Sequence, residues 1–164
     1  GVMLILFRPF KVGDYVEING VGGSVEQITI LSTRLKSPDN KVITVPNASV
    51  FGNTMINFSE QATRRVDMVV GIGYGSDLLK AKAILEEMVN GHELVLKDPA
   101  PKIAVSELAD SSVNFVVRPW VNAADYWTVK WDLTEKIKLR FDAEGIEIPF
   151  PQMSVHIEKT ENAA

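Results

Sequence analysis

The chain has 164 residues, enough for one medium domain or two small ones, and its 46% hydrophobic and 23% charged residues are proportions of a folded globule. The formal net charge is −4, whereas proteins dedicated to binding nucleic acids are usually basic. The absence of cysteine excludes disulfides, thiolate metal sites and cysteine nucleophiles, and two histidines leave little material for a histidine-rich metal centre.

The chain opens with an apolar segment, residues 1–7, which Arg8 ends. A helix that spans a bilayer needs about 20 apolar residues, so this segment is too short to cross a membrane as it stands. Because the chain starts with Gly rather than Met, we interpret residues 1–9 as the end of a longer hydrophobic helix; the alternative is a short core segment at a natural start. Pro9 lacks an N–H and disfavours helical backbone at Arg8, which predicts that the helix ends there.

Residues 10–60 are predicted to form a small β domain. Runs of β-branched and aromatic residues alternate with turns at residues 20–23 and 38–40. Asn47 can cap a single helical turn that reaches Phe51. The five predicted strands cover residues 15–18, 25–31, 33–35, 41–45 and 54–58. So many short strands in so short a segment predict a small barrel, because a barrel removes exposed strand edges.

Residues 61–151 are predicted to form a second domain, which a polar link at residues 60–65 separates from the first. Ser76 is expected to cap a helix over residues 77–90, and Asp125 a second helix that Gly145 ends. Strands are predicted at residues 66–72, 102–108, 113–121 and 146–150. The order β-α-β-β-α-β is the split βαβ pattern, so the fold class is α+β.

Residues 152–164 form a separate strand and tail in this interpretation. Residues 152–158 alternate strictly between apolar and polar, which places Met153, Val155 and Ile157 on one face of a strand. Pro149 and Pro151 detach this strand from the preceding domain. A lone strand must pair with another copy or dock back as an edge, and we favour pairing between chains.

Two patterns resemble ligand sites. Residues 71–76 place glycines between a strand and a helix, as a dinucleotide loop does, but Ser76 breaks the G-x-G-x-x-G pattern, and we favour a glycine-rich strand exit. His156 and Glu158 share a strand face and could touch a metal ion, although a solvated face is the more common outcome. Trp120, Trp127 and Trp131 are interpreted as core or subunit packing. We therefore predict no catalytic, cofactor or metal residues.

The sequence resembles the MscS family of mechanosensitive channels over nearly its whole length. The resemblance begins at the junction Arg8-Pro9-Phe10-Lys11-Val12-Gly13-Asp14-Tyr15-Val16. It continues through residues 20–25, 45–47, 57–59, 64–65, 114–118, 131–133 and 148–153. Each string alone is weak, and their order and spacing make the resemblance specific. Gly75 departs from the acidic residue of many relatives.

The resemblance implies the cytoplasmic cage of a bacterial inner-membrane channel that releases ions and small osmolytes on hypo-osmotic shock. It implies a homoheptamer with an Sm-like β domain, a ferredoxin-like domain and a basal barrel built from seven C-terminal strands. Arg8, Pro9 and Phe10 would connect the pore helix to the cage, and Met153, Val155 and Ile157 would form the barrel. No cofactor, enzyme activity or nucleic acid is implied. The alternatives are an Sm-like RNA-binding protein, which the charge disfavours, and a small enzyme on a ferredoxin-like scaffold.

Overall fold

The computed structural model describes residue 7 and residues 9–159. Contacts between residues divide the chain into two compact units, Gly1–Thr63 and Arg64–Ala164. Unit 1 is a sheet with one short helix, and unit 2 combines small sheets with two long helices. The predicted α+β class is therefore confirmed.

Unit 1 contains one antiparallel five-stranded sheet. Its elements are β1 (Tyr15–Ile18), β2 (Val21–Ile28), β3 (Ser32–Lys36), β4 (Val42–Pro46), α1 (Asn47–Gly52) and β5 (Met55–Asn57). The strand order is β4-β3-β2-β1-β5, so β4 and β5 are the two edges. Five strands and the helical turn occur in the predicted order, but β2 spans Val21–Ile28 rather than residues 25–31. Within the described residues the two edge strands do not pair with each other, so the sheet is not closed; α1 lies between them in the chain and places Val50 in the core.

The first hairpin differs from the prediction in its turn. Ile18 pairs with Val21, so the two-residue loop is Asn19–Gly20, with φ angles of 51° and 79°. Positive φ at both loop positions is the geometry that matches the twist of a hairpin and that Asn-Gly favours. Gly23, which we expected in the turn, lies in β2 instead. A Cβ atom there would lie 2.8 Å from the Lys36 carbonyl oxygen, so this glycine allows β3 to approach closely.

Unit 2 is built around two long helices and a three-stranded antiparallel sheet. Its elements are β6 (Thr63–Arg65), which begins at the unit boundary, β7 (Met68–Ile72), α2 (Leu78–Asn90), β8 (Lys102–Leu108), β9 (Val113–Arg118), β10 (Trp120–Asn122), a 3-10 turn (Ala123–Asp125) and α3 (Tyr126–Glu144). The sheet order is β7-β9-β8, and β10 pairs with β6. The spacing of four along α3 is confirmed, since its repeating apolar residues are all buried: Val129, Leu133, Ile137 and Phe141.

The predicted last strand at residues 146–150 is wrong. Within the described residues, no strand follows α3, and the segment bonds to the end of β7 through the Gly73 N–H, which donates to the Glu147 carbonyl at 2.9 Å. Pro149 and Pro151 cannot donate to a ladder, which explains why pairing stops there. The observed order is β-α-β-β-α with the short β6–β10 pair added, and β7 stays an edge.

The helix ends correct two predicted caps and confirm one. The N-cap residue of α1 is Pro46 rather than Asn47, and no side chain bonds to that helix end as a cap. The residue that caps α2 is Asp77 rather than Ser76, since the Asp77 carboxylate accepts the Lys80 N–H at 3.0 Å. The Ser76 hydroxyl instead accepts the Glu147 N–H at 3.1 Å. Gly145 ends α3 with a φ of 71°, the left-handed conformation in which glycine is unstrained.

Replacing Phe141 with Ala is expected to destabilise unit 2 by about 3–5 kcal/mol, because the side chain is fully buried and its removal leaves a cavity. Leu139→Ala, on the same helix but 62% exposed, is expected to change the free energy of unfolding by less than about 0.5 kcal/mol. The measurement is urea unfolding followed by tryptophan fluorescence, since all three tryptophans lie in unit 2. Equal losses from both substitutions would contradict this core.

Candidate functional site

The segment Pro9–Asp14, called the junction segment below, is fixed to the sheet of unit 1. Phe10 is 3% exposed and belongs to the core of the unit. Gly13 N–H donates to the Val25 carbonyl at 2.8 Å, and Val25 N–H donates to the Asp14 carbonyl at 2.8 Å. Gly13 has a φ of 96°, which an L side chain rarely adopts. The segment is therefore a tight turn docked on β2.

Asn57, the last residue of β5, connects to the junction segment through its side-chain amide. Its Nδ2 donates to Asp14 Oδ2 at 3.0 Å and to the Pro9 carbonyl at 3.4 Å. Its Oδ1 accepts the N–H groups of Ser59 and Glu60 at 2.9 and 3.0 Å. This role was not predicted from the sequence. Its signal was an asparagine at the end of a strand, a position where the side chain often bonds the following backbone.

The predicted site residues lie in both units, and the structure does not bring them together into one site. Arg8 lies outside the described residues, as do residues 1–6 of the predicted helix and residues 160–164 of the tail. Met153, Val155 and Ile157 are 87%, 69% and 85% exposed. Within the described residues, they belong to no strand and pair with none. Their role stays a prediction.

The glycine-rich loop after β7 contacts another segment of the same chain. A Cβ atom at Gly73 would lie 2.6 Å from Glu147 Oε2, and the Gly73 N–H is already bonded to the Glu147 carbonyl. The loop therefore holds the segment after α3. The Glu147 carboxylate beside it would repel the phosphates of a dinucleotide, which favours the strand-exit interpretation.

The His92 side chain has partners at both ring nitrogens. Its Nδ1 accepts the Leu94 N–H at 3.1 Å, and its Nε2 lies 2.7 Å from Asp132 Oδ2. Lys136 Nζ lies 2.9 Å from the same carboxylate oxygen. The hydrogen bond from Lys136, and secondarily that from His92, lowers the pKa of Asp132 despite its partial desolvation. His156 and Glu158 are exposed, and the described part of the chain contains no cluster of three or more metal-ligating side chains.

The tryptophans of α3 are not core residues within the chain. Trp127 and Trp131 are 52% and 65% exposed, and their rings lie 5.5 Å apart. The Arg64 guanidinium lies 3.8 Å from the ring centre of Tyr126, a cation–π contact beside this pair. The expectation of core packing is wrong for these two residues, whereas subunit packing stays a prediction.

Two family models match the chain in sequence order. The description "Mechanosensitive ion channel, beta-domain" covers residues 1–60, and "Mechanosensitive ion channel MscS, C-terminal" covers residues 66–148. The chain belongs to the MscS family. The two matched regions correspond to the two units of the structure, which divide after Thr63.

Curated relatives from distant organisms support the same family. A small-conductance mechanosensitive channel of Edwardsiella ictaluri is 46% identical over 96% of this chain and 55% of the relative. The channel MscMJ of Methanocaldococcus jannaschii is 34% identical over 97% of this chain and 47% of the relative. The chain thus spans about half the length of these MscS proteins.

Solved structures agree in fold. The closed-state crystal structure of Helicobacter pylori MscS matches with a TM-score of 0.90 and 34% identity, over 97% of this chain and 63% of that one. Arabidopsis thaliana MSL1 matches with a TM-score of 0.73 and 16% identity, over 91% and 56% of the two chains, which shows the fold alone. Among the residues described here, no helix is long and apolar enough to cross a membrane.

Replacing Phe10 with Ala is expected to destabilise unit 1 by about 3–5 kcal/mol, since it empties a buried site at the junction segment. Val12→Ala is the control, because Val12 lies two residues away and is 59% exposed. Amide hydrogen exchange in β1 to β3 measures both effects. Unchanged exchange in the Phe10 variant would show that the junction segment is not anchored in the core.

The pKa of Asp132 predicts a specific acid sensitivity. Because the pKa is lower in the folded chain than its ordinary value of 3.8, the carboxylate adds stability above that value and loses it as the pH falls through the folded pKa. Asp132→Asn is expected to cost about 1 kcal/mol at pH 7. Urea unfolding should show that this cost shrinks below pH 4. Asp110→Asn, at an exposed turn, serves as control; a cost for Asp132→Asn that stays constant down to pH 2 would contradict the assignment.

Proposed function

We propose that this chain is the cytoplasmic cage region of a bacterial MscS-type channel of the inner membrane. The parent opens when membrane tension rises under hypo-osmotic shock and releases ions and small osmolytes. The observation that carries the proposal is the ordered match of two MscS family models to the two folded units. Tension acts by population shift, because it favours the state with the larger area in the membrane plane.

The junction between pore helix and cage is proposed to lie at Arg8, Pro9 and Phe10. The apolar residues 1–7 precede this point, and Phe10 is buried in the core of unit 1. A buried aromatic side chain directly after a helix-ending proline gives a firm attachment. Movement of the preceding helix would then pull on the folded unit rather than on a loose linker.

The cage is proposed to be a homoheptamer closed at its base by a barrel of C-terminal strands. The apolar face of Met153, Val155 and Ile157 is exposed and has no partner strand within the described residues. An exposed apolar face of this kind is typical of an interaction surface. Seven copies of this segment would give each strand two neighbours and enclose the apolar residues.

We propose no enzymatic role, no resident cofactor and no nucleic-acid partner. The net charge of −4 per chain becomes 7 × (−4) = −28 for seven copies, which repels anionic polymers. The assembly is instead a sieve through which small solutes pass. RNA binding that weakens steeply with added salt would favour the Sm-like alternative.

The proposal is tested on the chain and on its parent. Light scattering of the chain should give about 127 kDa, seven times 18.1 kDa, at high protein concentration. Assembly is expected to be partial at low concentration, because the membrane helices of the parent would add interface. Membrane patches that contain the parent channel should show electrical currents activated by membrane tension. A strictly monomeric chain at millimolar concentration, or a parent without tension-activated current, would contradict the proposal.

Val155→Asp is expected to weaken the heptamer. The substitution places seven like charges in one narrow apolar ring, which should cost several kcal/mol over the assembly. Ser154→Asp adds the same charge on the opposite strand face, where water screens it. The measurement is the temperature at which each oligomer dissociates. An equal temperature for Val155→Asp and Ser154→Asp would show that this face does not form the interface.

A further inference from the structure

We propose that Asn57 and Asp14 are positioning residues that fix the direction in which the chain enters unit 1. By doing so, they contribute to the free energy that opposes movement of the pore helix. This inference rests on the proposed function and adds two residues to it. Two of the three predicted coupling residues, Pro9 and Phe10, lie in the turn that this pair holds, and the third, Arg8, directly precedes it.

The Asn57 amide joins two separate points of the chain. Its Nδ2 holds Asp14 Oδ2 and the Pro9 carbonyl, while its Oδ1 holds two N–H groups of the segment that follows β5. Both ends of one rigid planar group are therefore engaged. A displacement of the backbone at Pro9 must stretch these bonds or drag the end of β5 with it.

Asp14 makes this connection costly to break. The residue is 6% exposed, and its Oδ2 receives the Lys11 N–H at 3.1 Å and the Asn57 amide at 3.0 Å. Both of these donors are neutral. A buried carboxylate that loses a donor retains its charge without full compensation, which is unfavourable in a low-dielectric interior. The pair therefore resists opening more than an exposed hydrogen bond does.

The hydrogen bond between Asn57 and Asp14 lies at the point where the chain enters unit 1, which distinguishes it from polar contacts elsewhere in the fold. Phe10 fixes where the chain meets the core, and Pro9 restricts the backbone before it. The bonds from Asn57 fix the turn on both sides of Phe10. A helix that continues before Pro9 is then attached to the sheet at a set angle, and its movement on opening works against the cage.

Asn57→Asp tests this role because it is nearly isosteric. The new carboxylate still accepts the N–H groups of Ser59 and Glu60, but it cannot donate to Pro9 and it repels Asp14. We expect a looser attachment and a lower midpoint tension in the full-length parent channel. At the wild-type midpoint tension, the ratio of open to closed channels should rise at least about tenfold, which corresponds to about 1.4 kcal/mol.

Two further variants isolate the pair. Asp14→Asn combined with Asn57→Asp exchanges donor and acceptor, so the bond between positions 14 and 57 can form again, and the midpoint should return toward the wild-type value. Asn53→Asp makes the same change of charge at an asparagine whose amide donates to the Ser49 carbonyl in exposed surroundings at 2.7 Å. Its midpoint tension should equal that of the wild type.

The outcomes are distinguishable. A wild-type parent without tension-activated current refutes the proposed function. A wild-type parent that gates, with an unshifted Asn57→Asp channel of heptameric mass, overturns the inference alone. An Asn57→Asp shift equal to that of Asn53→Asp, or not reversed by the double substitution, also overturns it. If Asn57→Asp does not assemble, Asp14→Ala, which removes the acceptor of the bond from Asn57, replaces it, and a normal midpoint there refutes the role.

Discussion

Backbone N–H and C=O groups need hydrogen-bond partners, and the sheets of this protein supply them in a way that its C-terminal segment does not. Within unit 1 the sheet satisfies its inner strands, and α1 connects its two edges. In unit 2 the inner strand β9 has a partner strand on each side. The segment after α3, in contrast, has one backbone hydrogen bond to the end of β7, from the Gly73 N–H to the Glu147 carbonyl. The described residues after this point carry exposed apolar side chains and belong to no strand, although the Gln152 N–H donates to Ser111 Oγ at 3.0 Å. A second copy of the chain is the partner that we propose for this segment.

The junction segment is the part of unit 1 through which we propose that force is transmitted. Its aromatic side chain enters the core, and a glycine with positive φ turns the backbone onto β2. These are short-range contacts within one unit. In the function that we propose, these contacts would connect the membrane helices of the parent to its cage.

Much of the fold could be predicted from the sequence because local chemistry decided it. The spacing of four from Val129 to Phe141 predicted the buried face of α3, and Gly145 its end. The family strings predicted the order of the two units. The hairpin turn was misplaced because two more glycines, Gly22 and Gly23, follow Gly20 closely, and only the strand register shows that Gly23 serves close packing rather than a turn.

Long-range contacts explain what the sequence could not predict. The predicted last strand at residues 146–150 does not form, because Pro149 and Pro151 lack the N–H that a strand ladder needs. Hydrophobic periodicity alone does not take a missing N–H into account. Asn57 is 43 residues from Asp14, so no local pattern joins them. The exposure of Trp127 and Trp131 likewise depends on which face of α3 the sheet covers.

Amide hydrogen exchange in the segment Met153–Ile157 tests the central claim most directly. If the segment pairs only between copies, its backbone N–H groups should be protected in the assembled oligomer and lose protection when the protein is diluted to monomers. The core of α3 supplies an internal reference, since its protection depends on contacts within one chain. Exchange of these amides at unprotected rates in the intact oligomer would contradict the claim, as would equal protection in the monomer.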